Sequence, residues 1–238
     1  MTTLLTESIR TPGTAAASAD ETISRHFLHR GHGAEFEMEA GWVRANLPPG
    51  RGRIVDLGCG IGSLFDTIGT GRAIGVDYQR SGLRHTQSRF PGVPLVCADA
   101  ERLPLADASI EGLTLQHVIE HLAETRSVLR ELYRVLMPGA VLLLLTPNAE
   151  FCDPGVFEDP THVHIFNCRD LPKNLRDVGF DILDLRTIGL PWFRGYNSIP
   201  AGWRLRRFVT RHAIALSTVR PWRWRGQTLC CAARRPIV

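Results

Sequence analysis

The sequence predicts an α/β fold, a mainly parallel sheet with helices on both faces, and three observations predict it. Short apolar runs alternate with amphipathic stretches along the chain from residue 34. The run Val55-Asp-Leu-Gly-Cys-Gly-Ile-Gly62 places three glycines where a buried strand meets a helix. Two later apolar runs close on carboxylates, at Asp77 and Asp99. Strand, loop and helix in this order build parallel sheets, because a parallel neighbour needs a crossover and the helix supplies it.

Residues 1–33 read as a leader, with Thr11–Asp20 rich in Ala, Ser, Thr and Gly. From Ala34 to Leu47 apolar residues recur at helical spacing, and Pro48-Pro49-Gly50 ends that helix. Strands are predicted at about 53–57, 72–77, 94–97, 110–116, 140–146, 180–188 and 227–234. Helices are predicted at about 61–69, 80–89, 123–136 and 170–178. One domain over 34–238 is expected, carrying an insertion at about 189–225, since 238 residues bury a sizeable single core. The first residues lack a basic region followed by an apolar run, and the longest apolar run, Ala140–Leu145, is strand length. Neither secretion nor membrane spanning is expected. The six cysteines show no Cys-x-x-Cys pairing and read as reduced thiols of a cytoplasmic protein.

Gly58, Gly60 and Gly62 let the backbone turn tightly and a ligand approach bare peptide groups. A dinucleotide fingerprint starting at Gly58 would place its third glycine at residue 63, which is Ser63. The glycines alternate instead and follow Asp56. Asp77 ends the next apolar run, 17 residues after Gly60, where a carboxylate accepts two ribose hydroxyls. Leu95-Val-Cys-Ala-Asp99-Ala100-Glu101, Leu103-Pro-Leu-Ala-Asp-Ala-Ser-Ile-Glu-Gly-Leu and Arg134-Val-Leu-Met-Pro-Gly-Ala complete the series. Over residues 34 to 188 this order resembles the class I S-adenosylmethionine-dependent methyltransferases of the small-molecule type, methyltransferase type 11. The resemblance implies a Rossmann-like seven-stranded sheet whose last strand is antiparallel, with the insertion inside the final hairpin. It implies S-adenosyl-L-methionine as cofactor, held by Asp56, Gly58, Gly60, Asp77 and Asp99, with Tyr78 and Ala100 beside the adenine and Gln116 at the end of strand four. Asp56, Asp77 and Asp99 also suit helix N-caps, but three strand-end carboxylates at these spacings favour a ligand.

Methyl transfer from a sulfonium is an in-line displacement, so the protein must align the nucleophile and remove its proton when it has one; histidine suits that task near neutral pH. His117 begins the segment Gln116-His117-Val-Ile-Glu120-His121 beyond strand four. His162 and His164 lie in Asp159-Pro-Thr-His162-Val-His164-Ile-Phe166, which resembles the D-x-x-H-V-H-F-F segment of small-molecule methyltransferases. In an extended stretch those two side chains share a side. Each of the three is a candidate base, and each also reads as a hydrogen-bonded structural residue. His117-x-x-Glu120-His121 aligns with the metal-binding Glu-x-x-Glu-His segment of ubiquinone-pathway O-methyltransferases and small-RNA 2′-O-methyltransferases. In that resemblance His162 or His164 could complete the set, but His117 replaces the first Glu, and no metal is expected.

Charge divides the chain unevenly. After Asp184 there are eleven arginines and no acidic residue, so against a net +4 for the whole chain residues 1–184 carry −7. Trp192, Trp203, Trp222 and Trp224 share that arginine-rich stretch. On a helix through 203–216, Leu205, Phe208, Val209, His212, Ala213 and Leu216 fall opposite Arg204, Arg206, Arg207 and Arg211, and Trp203 and Ile214 break the pattern by falling on the basic face. A basic face interleaved with tryptophan suits an anionic partner, with a phosphorylated or lipid-linked small molecule ahead of nucleic acid, and with peripheral membrane contact also open. The expected activity is methylation of an oxygen or nitrogen of such a small molecule. The competing expectations are a metal-assisted RNA 2′-O-methyltransferase and a non-catalytic cofactor-binding scaffold.

Overall fold

A computed structural model describes residues 34–189 and 225–237. The leader at 1–33 and nearly all of the predicted insertion, with its arginine and tryptophan pattern, lie outside the described residues. Helix α1 (Ala34–Asn46) precedes β1 (Ile54–Leu57), α2 (Phe65–Ile68), β2 (Ala73–Asp77), α3 (Arg80–Arg89) and β3 (Leu95–Cys97). Then come β4 (Ile110–Gln116), a 3-10 turn (Ile119–His121), α4 (Thr125–Val135), β5 (Leu136–Pro147), α5 (Gly155–Glu158), α6 (Asp170–Val178), β6 (Asp181–Ile188) and β7 (Thr228–Arg234).

The seven strands form one sheet in the order β3-β2-β1-β4-β5-β7-β6. Strands β1 to β5 pair in parallel, whereas β7 runs antiparallel to both β5 and β6. In the middle of the sheet, Ala140–Leu145 of β5 reads as an unbroken apolar run because helices cover both faces. Along β5, Leu142 and Leu144 enter the core beneath α4 and α6, and Leu143 and Leu145 enter the core beneath α1, α2 and α3. Strand β7 alternates likewise, with Leu229, Cys231 and Ala233 on the first side and Cys230 and Ala232 on the second. Helix α4 buries Val128, Leu129, Leu132 and Val135 at helical spacing. Helix α6 stops at Gly179, left-handed with φ 113°, whose N–H returns to the carbonyls of Arg176 and Leu175.

The predicted strands and the helices at 34–47, 80–89, 123–136 and 170–178 are present with ends shifted by a residue or two, except at two places. The predicted helix at 61–69 shortens to Phe65–Ile68, because Gly62 at φ 76° holds the chain outside helical conformation. Strand β5 begins earlier than 140, at Leu136, which pairs with Ile110 across a register shift. All six cysteines are unpaired. Among the described residues no helix is long and apolar enough to cross a membrane.

Candidate active site

The sheet order reverses direction between β1 and β4, and the carboxyl ends of those strands open the crevice where open α/β sheets bind ligands. One wall is the loop after β1. Gly58, Gly60 and Gly62 have φ of 71°, 51° and 76°, a region that L side chains rarely occupy. A Cβ at Gly58 would come within 2.3 Å of Val118 Cγ2, so this loop lies against the segment that follows β4. Gly60 is held from both ends. Its N–H donates to Asp77 Oδ2 at 2.8 Å, and its carbonyl accepts from Thr86 Oγ1 at 2.6 Å. Asp77 Oδ1 accepts the N–H of Gln79 at 2.7 Å. Burial still raises the Asp77 pKa, against the pull of those backbone bonds.

Asp56 is buried and accepts from Thr114 Oγ1 at 2.7 Å. Burial, helped by the nearby Asp77 and opposed by the Thr114 bond, pushes its carboxyl up to about 7. Asp99 is exposed at the end of β3, where one oxygen accepts the N–H of Glu101 at 2.9 Å, and Ala100 beside it is buried. Tyr78 is 68% exposed next to Asp77. Gln79 Oε1 and Ser81 Oγ are buried without a partner among the described residues. Unpaired buried acceptors and donors beside a carboxylate are what a polar ligand would satisfy, so this wall fits a ribose-bearing cofactor.

The other wall is built from side chains distant in sequence. Glu39, on α1, is buried and accepts from Gln116 Nε2 at 2.7 Å and Thr228 Oγ1 at 2.8 Å. His117 follows β4 in the left-handed region at φ 54°, and its Nε2 lies 3.1 Å from Glu39 Oε1. Its Nδ1 lies 3.4 Å from Glu120 Oε1, an ion pair without a well-aligned hydrogen bond. Burial disfavours the imidazolium, but the two carboxylates outweigh it and raise His117 to about 10. For Glu39 and Glu120 burial likewise opposes ionisation, and the His117 charge and hydrogen bonds prevail and lower both. A histidine charged at neutral pH has no lone pair for a proton, so base chemistry falls to the other candidates. Gln116 gives its Nε2 donor to Glu39.

The loop histidines meet the 3-10 turn and the residues just after it. The His162 ring packs 4.7 Å from that of His121, and His164 Nε2 lies 3.1 Å from the carbonyl of Ala123. They differ in exposure, since the His162 side chain is 2% exposed and His164 is open to solvent. A carbonyl only accepts, so His164 donates from Nε2, and the neutral form of the ring has its lone pair on Nδ1. Sequence reasoning missed Glu39, Thr86, Thr114 and Thr228. None has a local motif, and their roles come from pairings across 26 to 189 residues.

A doubly wound sheet with an alternating glycine loop and an acid at the end of β2 defines an α/β protein that binds a nucleoside-bearing cofactor. The family model described as a methyltransferase domain matches residues 55–144, which run from β1 into β5. A Mycolicibacterium smegmatis protein named "Probable S-adenosylmethionine-dependent methyltransferase" is 35% identical over 141 residues, 58% of this chain and 54% of that protein. A ubiquinone/menaquinone biosynthesis C-methyltransferase of Desulfotalea psychrophila is 35% identical over 111 residues, 43% of this chain and 45% of that protein. The chain spans about half the length of the curated relatives it matches. In fold it is similar to an S-adenosylmethionine-dependent methyltransferase from Mesorhizobium loti, with TM-score 0.63 and 18% identity over 85% of this chain and 98% of that one.

Proposed function

We propose that the protein transfers a methyl group from S-adenosylmethionine to an oxygen or nitrogen of a small acceptor that is phosphorylated or lipid-linked. The observation that carries this reading is the Asp77–Gly60 bond, which fixes an acid and a glycine loop into one cradle at the sheet's switch point. When bound, the cofactor supplies an electrophilic methyl on a sulfonium. The Asp77 oxygens keep lone pairs for ribose hydroxyls beyond their backbone donors. Gly58 and Gly60 let the ligand approach the backbone, and Asp99 with the Ala100 backbone meets the adenine edge. Val118 and Gly58 bring the strand-four segment against the loop, which sets the acceptor beside the cofactor wall.

The base in this reading is His164. Its exposed ring and its Nδ1 lone pair, directed by the Ala123 carbonyl, support a proton acceptor at the mouth of the crevice. His117 is a positioning residue that orders the strand-four end through Glu39 and Glu120. The arginine-rich stretch after Asp184 supports an anionic acceptor. A second reading, methylation at carbon, is favoured by the Desulfotalea psychrophila relative, which is named a C-methyltransferase.

Calorimetric titration with S-adenosylhomocysteine tests the core of the proposal. Binding at micromolar strength that falls roughly tenfold or more in Asp77→Asn is expected, by the loss of charge-assisted bonds. Absent binding to the native chain overturns it. With an acceptor in hand, His164→Ala should lower kcat roughly 100-fold with KM little changed, and the isotope-labelled product identifies oxygen, nitrogen or carbon as the methylated atom.

A further inference from the structure

The proposed reaction leaves unused a basic surface on the β1–β2–β3 half of the molecule. Residues 51–98 carry Arg51, Arg53, Arg72, Arg80, Arg84 and Arg89 against three acids. Two of those acids, Asp56 and Asp77, are buried at the crevice, so Asp66 is the exposed acid of this stretch. Residues 99–184 are the reverse, with fifteen acids against seven lysines and arginines. One fold therefore presents a basic flank and an acidic one.

The topology brings the six arginines together. Strands β1, β2 and β3 are neighbours, and Arg51, Arg53 and Arg72 sit just before β1 and β2, at the amino ends of those strands. Helix α3 leads from the carboxyl end of β2 back to the amino end of β3, which sets Arg89 at the same end as Arg72 and Arg80 at the end nearer the crevice. Its inner face is Gly82, Leu83 and Thr86, whereas Arg80, Arg84, His85, Ser88 and Arg89 are exposed. Arg80 and Arg84 stand about 6 Å apart along the axis, and the row from Arg80 to Arg89 spans about 14 Å. None of the six arginines is in an ion pair among the described residues. Three are nonetheless held in place. Arg72 donates from Nε to the Gly52 carbonyl at 3.0 Å and from Nη2 to the Pro48 carbonyl at 3.1 Å, and Arg53 Nη1 donates to the Gly71 carbonyl at 3.3 Å. The Arg89 guanidinium lies 4.9 Å from the centre of the Phe90 ring. A carbonyl or a ring fixes a guanidinium while leaving its charge for a partner, so less freedom is lost when the partner arrives.

We propose that this flank, the outer face of α3 with the loops before β1 and β2, holds the phosphate backbone of a nucleic acid without reading its sequence. Guanidiniums pair with phosphate oxygens in a fork, and phosphates repeat along a strand, so a row of arginines meets one after another. Release of the counter-ions around those phosphates drives such binding. A bilayer surface asks in addition for apolar side chains that enter the acyl boundary. Over 51–98 the exposed large hydrophobic residue is Tyr78, at the crevice end of α3. Small anions are bound in concave sites, whereas this flank is a helix face and strand-end loops. Guanidiniums alone do not tell a ribose from a deoxyribose, so RNA and DNA are held alike. The inference stands independently of the acceptor reading.

The test is fluorescence anisotropy of labelled oligo-dT and oligo-U of equal length, titrated with the full chain across a salt series. Both should bind with similar strength, and more weakly as salt rises. Combining Arg51→Gln, Arg84→Gln and Arg89→Gln removes three phosphate contacts, so affinity should fall about tenfold or more, and the slope of log K against log salt should flatten by about 2. Arg126→Gln with Arg130→Gln, on the exposed face of α4, should leave binding unchanged. The arginine-rich stretch after Asp184 is intact in every variant, so equal binding by the native chain and the triple variant overturns the proposal and assigns binding to that stretch. No binding by the native chain overturns it, as does an equal loss in the α4 pair. Loss of binding to phosphatidylglycerol vesicles in the triple variant, with oligonucleotide binding kept, overturns it in favour of a membrane. Circular dichroism checks that the triple variant folds, and should it fail, Arg51→Gln with Arg84→Gln replaces it. Binding of S-adenosylhomocysteine, measured in parallel, should be unchanged in the triple variant, so failure of the cofactor reading and failure of the basic flank are read separately.

Discussion

The two walls of the crevice are made in different ways. On the β1–β2–β3 side the chemistry lies in backbone: three glycines with positive φ, and a carboxylate that grips Gly60 and Gln79 through their N–H groups. On the β4–β5–β7 side it lies in side chains brought from far apart, Glu39 on α1, His117 after β4 and Thr228 on β7. The backbone wall needs specific residues at fixed short spacings and tolerates little variation. The side-chain wall can change composition while the sheet stays the same, which is how one fold serves many acceptors.

The comparison breaks most visibly at Glu39. Glu39→Ala leaves the buried His117 charge short of a partner and two donors unpaired, and should cost roughly 3–5 kcal/mol of stability. In chemical denaturation a cost below about 1 kcal/mol would mean that the second wall is not held by this carboxylate. Asp56 tests the first wall through pH. Its pKa rises from the ordinary 3.8 to about 7 on folding, so between those values the folded chain holds a proton that the unfolded chain has released. Stability of the ligand-free protein therefore falls as pH rises from about 4 to 7, by roughly 2–4 kcal/mol. Asp56→Asn should flatten that slope, and an unchanged profile would assign the titration elsewhere.

Smaller effects sharpen the contrast. Asp77→Asn should weaken cofactor binding by roughly 1.5–3 kcal/mol while leaving the melting temperature of Glu39→Ala unaltered when the two are combined, apart from its own contribution. Thr86→Val removes the donor to the Gly60 carbonyl, in a buried site with almost no change of shape. It should cost roughly 1–2 kcal/mol of stability and weaken S-adenosylhomocysteine a few-fold, read by calorimetry. Were it to affect the loop no more than a surface change, the grip on Gly60 would rest on Asp77 alone.

Legibility follows the same division. The glycine loop, Asp77 and the apolar strands could be read because their determinants are local: a period of two, a turn, an acid at a strand end. The late start of helix α2 at Phe65 could not, since the left-handed Gly62 is visible only in the backbone. His117 reads in sequence as a base beside the methyl group. Its charge state depends on Glu39, which lies 78 residues away and on another layer of the fold. Thr114 lies 58 residues from Asp56 and gives no sign in sequence that it opposes the burial of that acid.

The position of β7 bears on how the molecule is assembled. This strand lies between β5 and β6, so β6 has no partner in the sheet until residues 228–234 arrive. During synthesis β6 emerges first and must wait with both edges unpaired while some forty further residues follow it. Completion of the sheet is thus a late, long-range event, in which one antiparallel strand closes two gaps together. Substitutions along β7 should slow folding only if that closure is rate-limiting, and should otherwise speed unfolding.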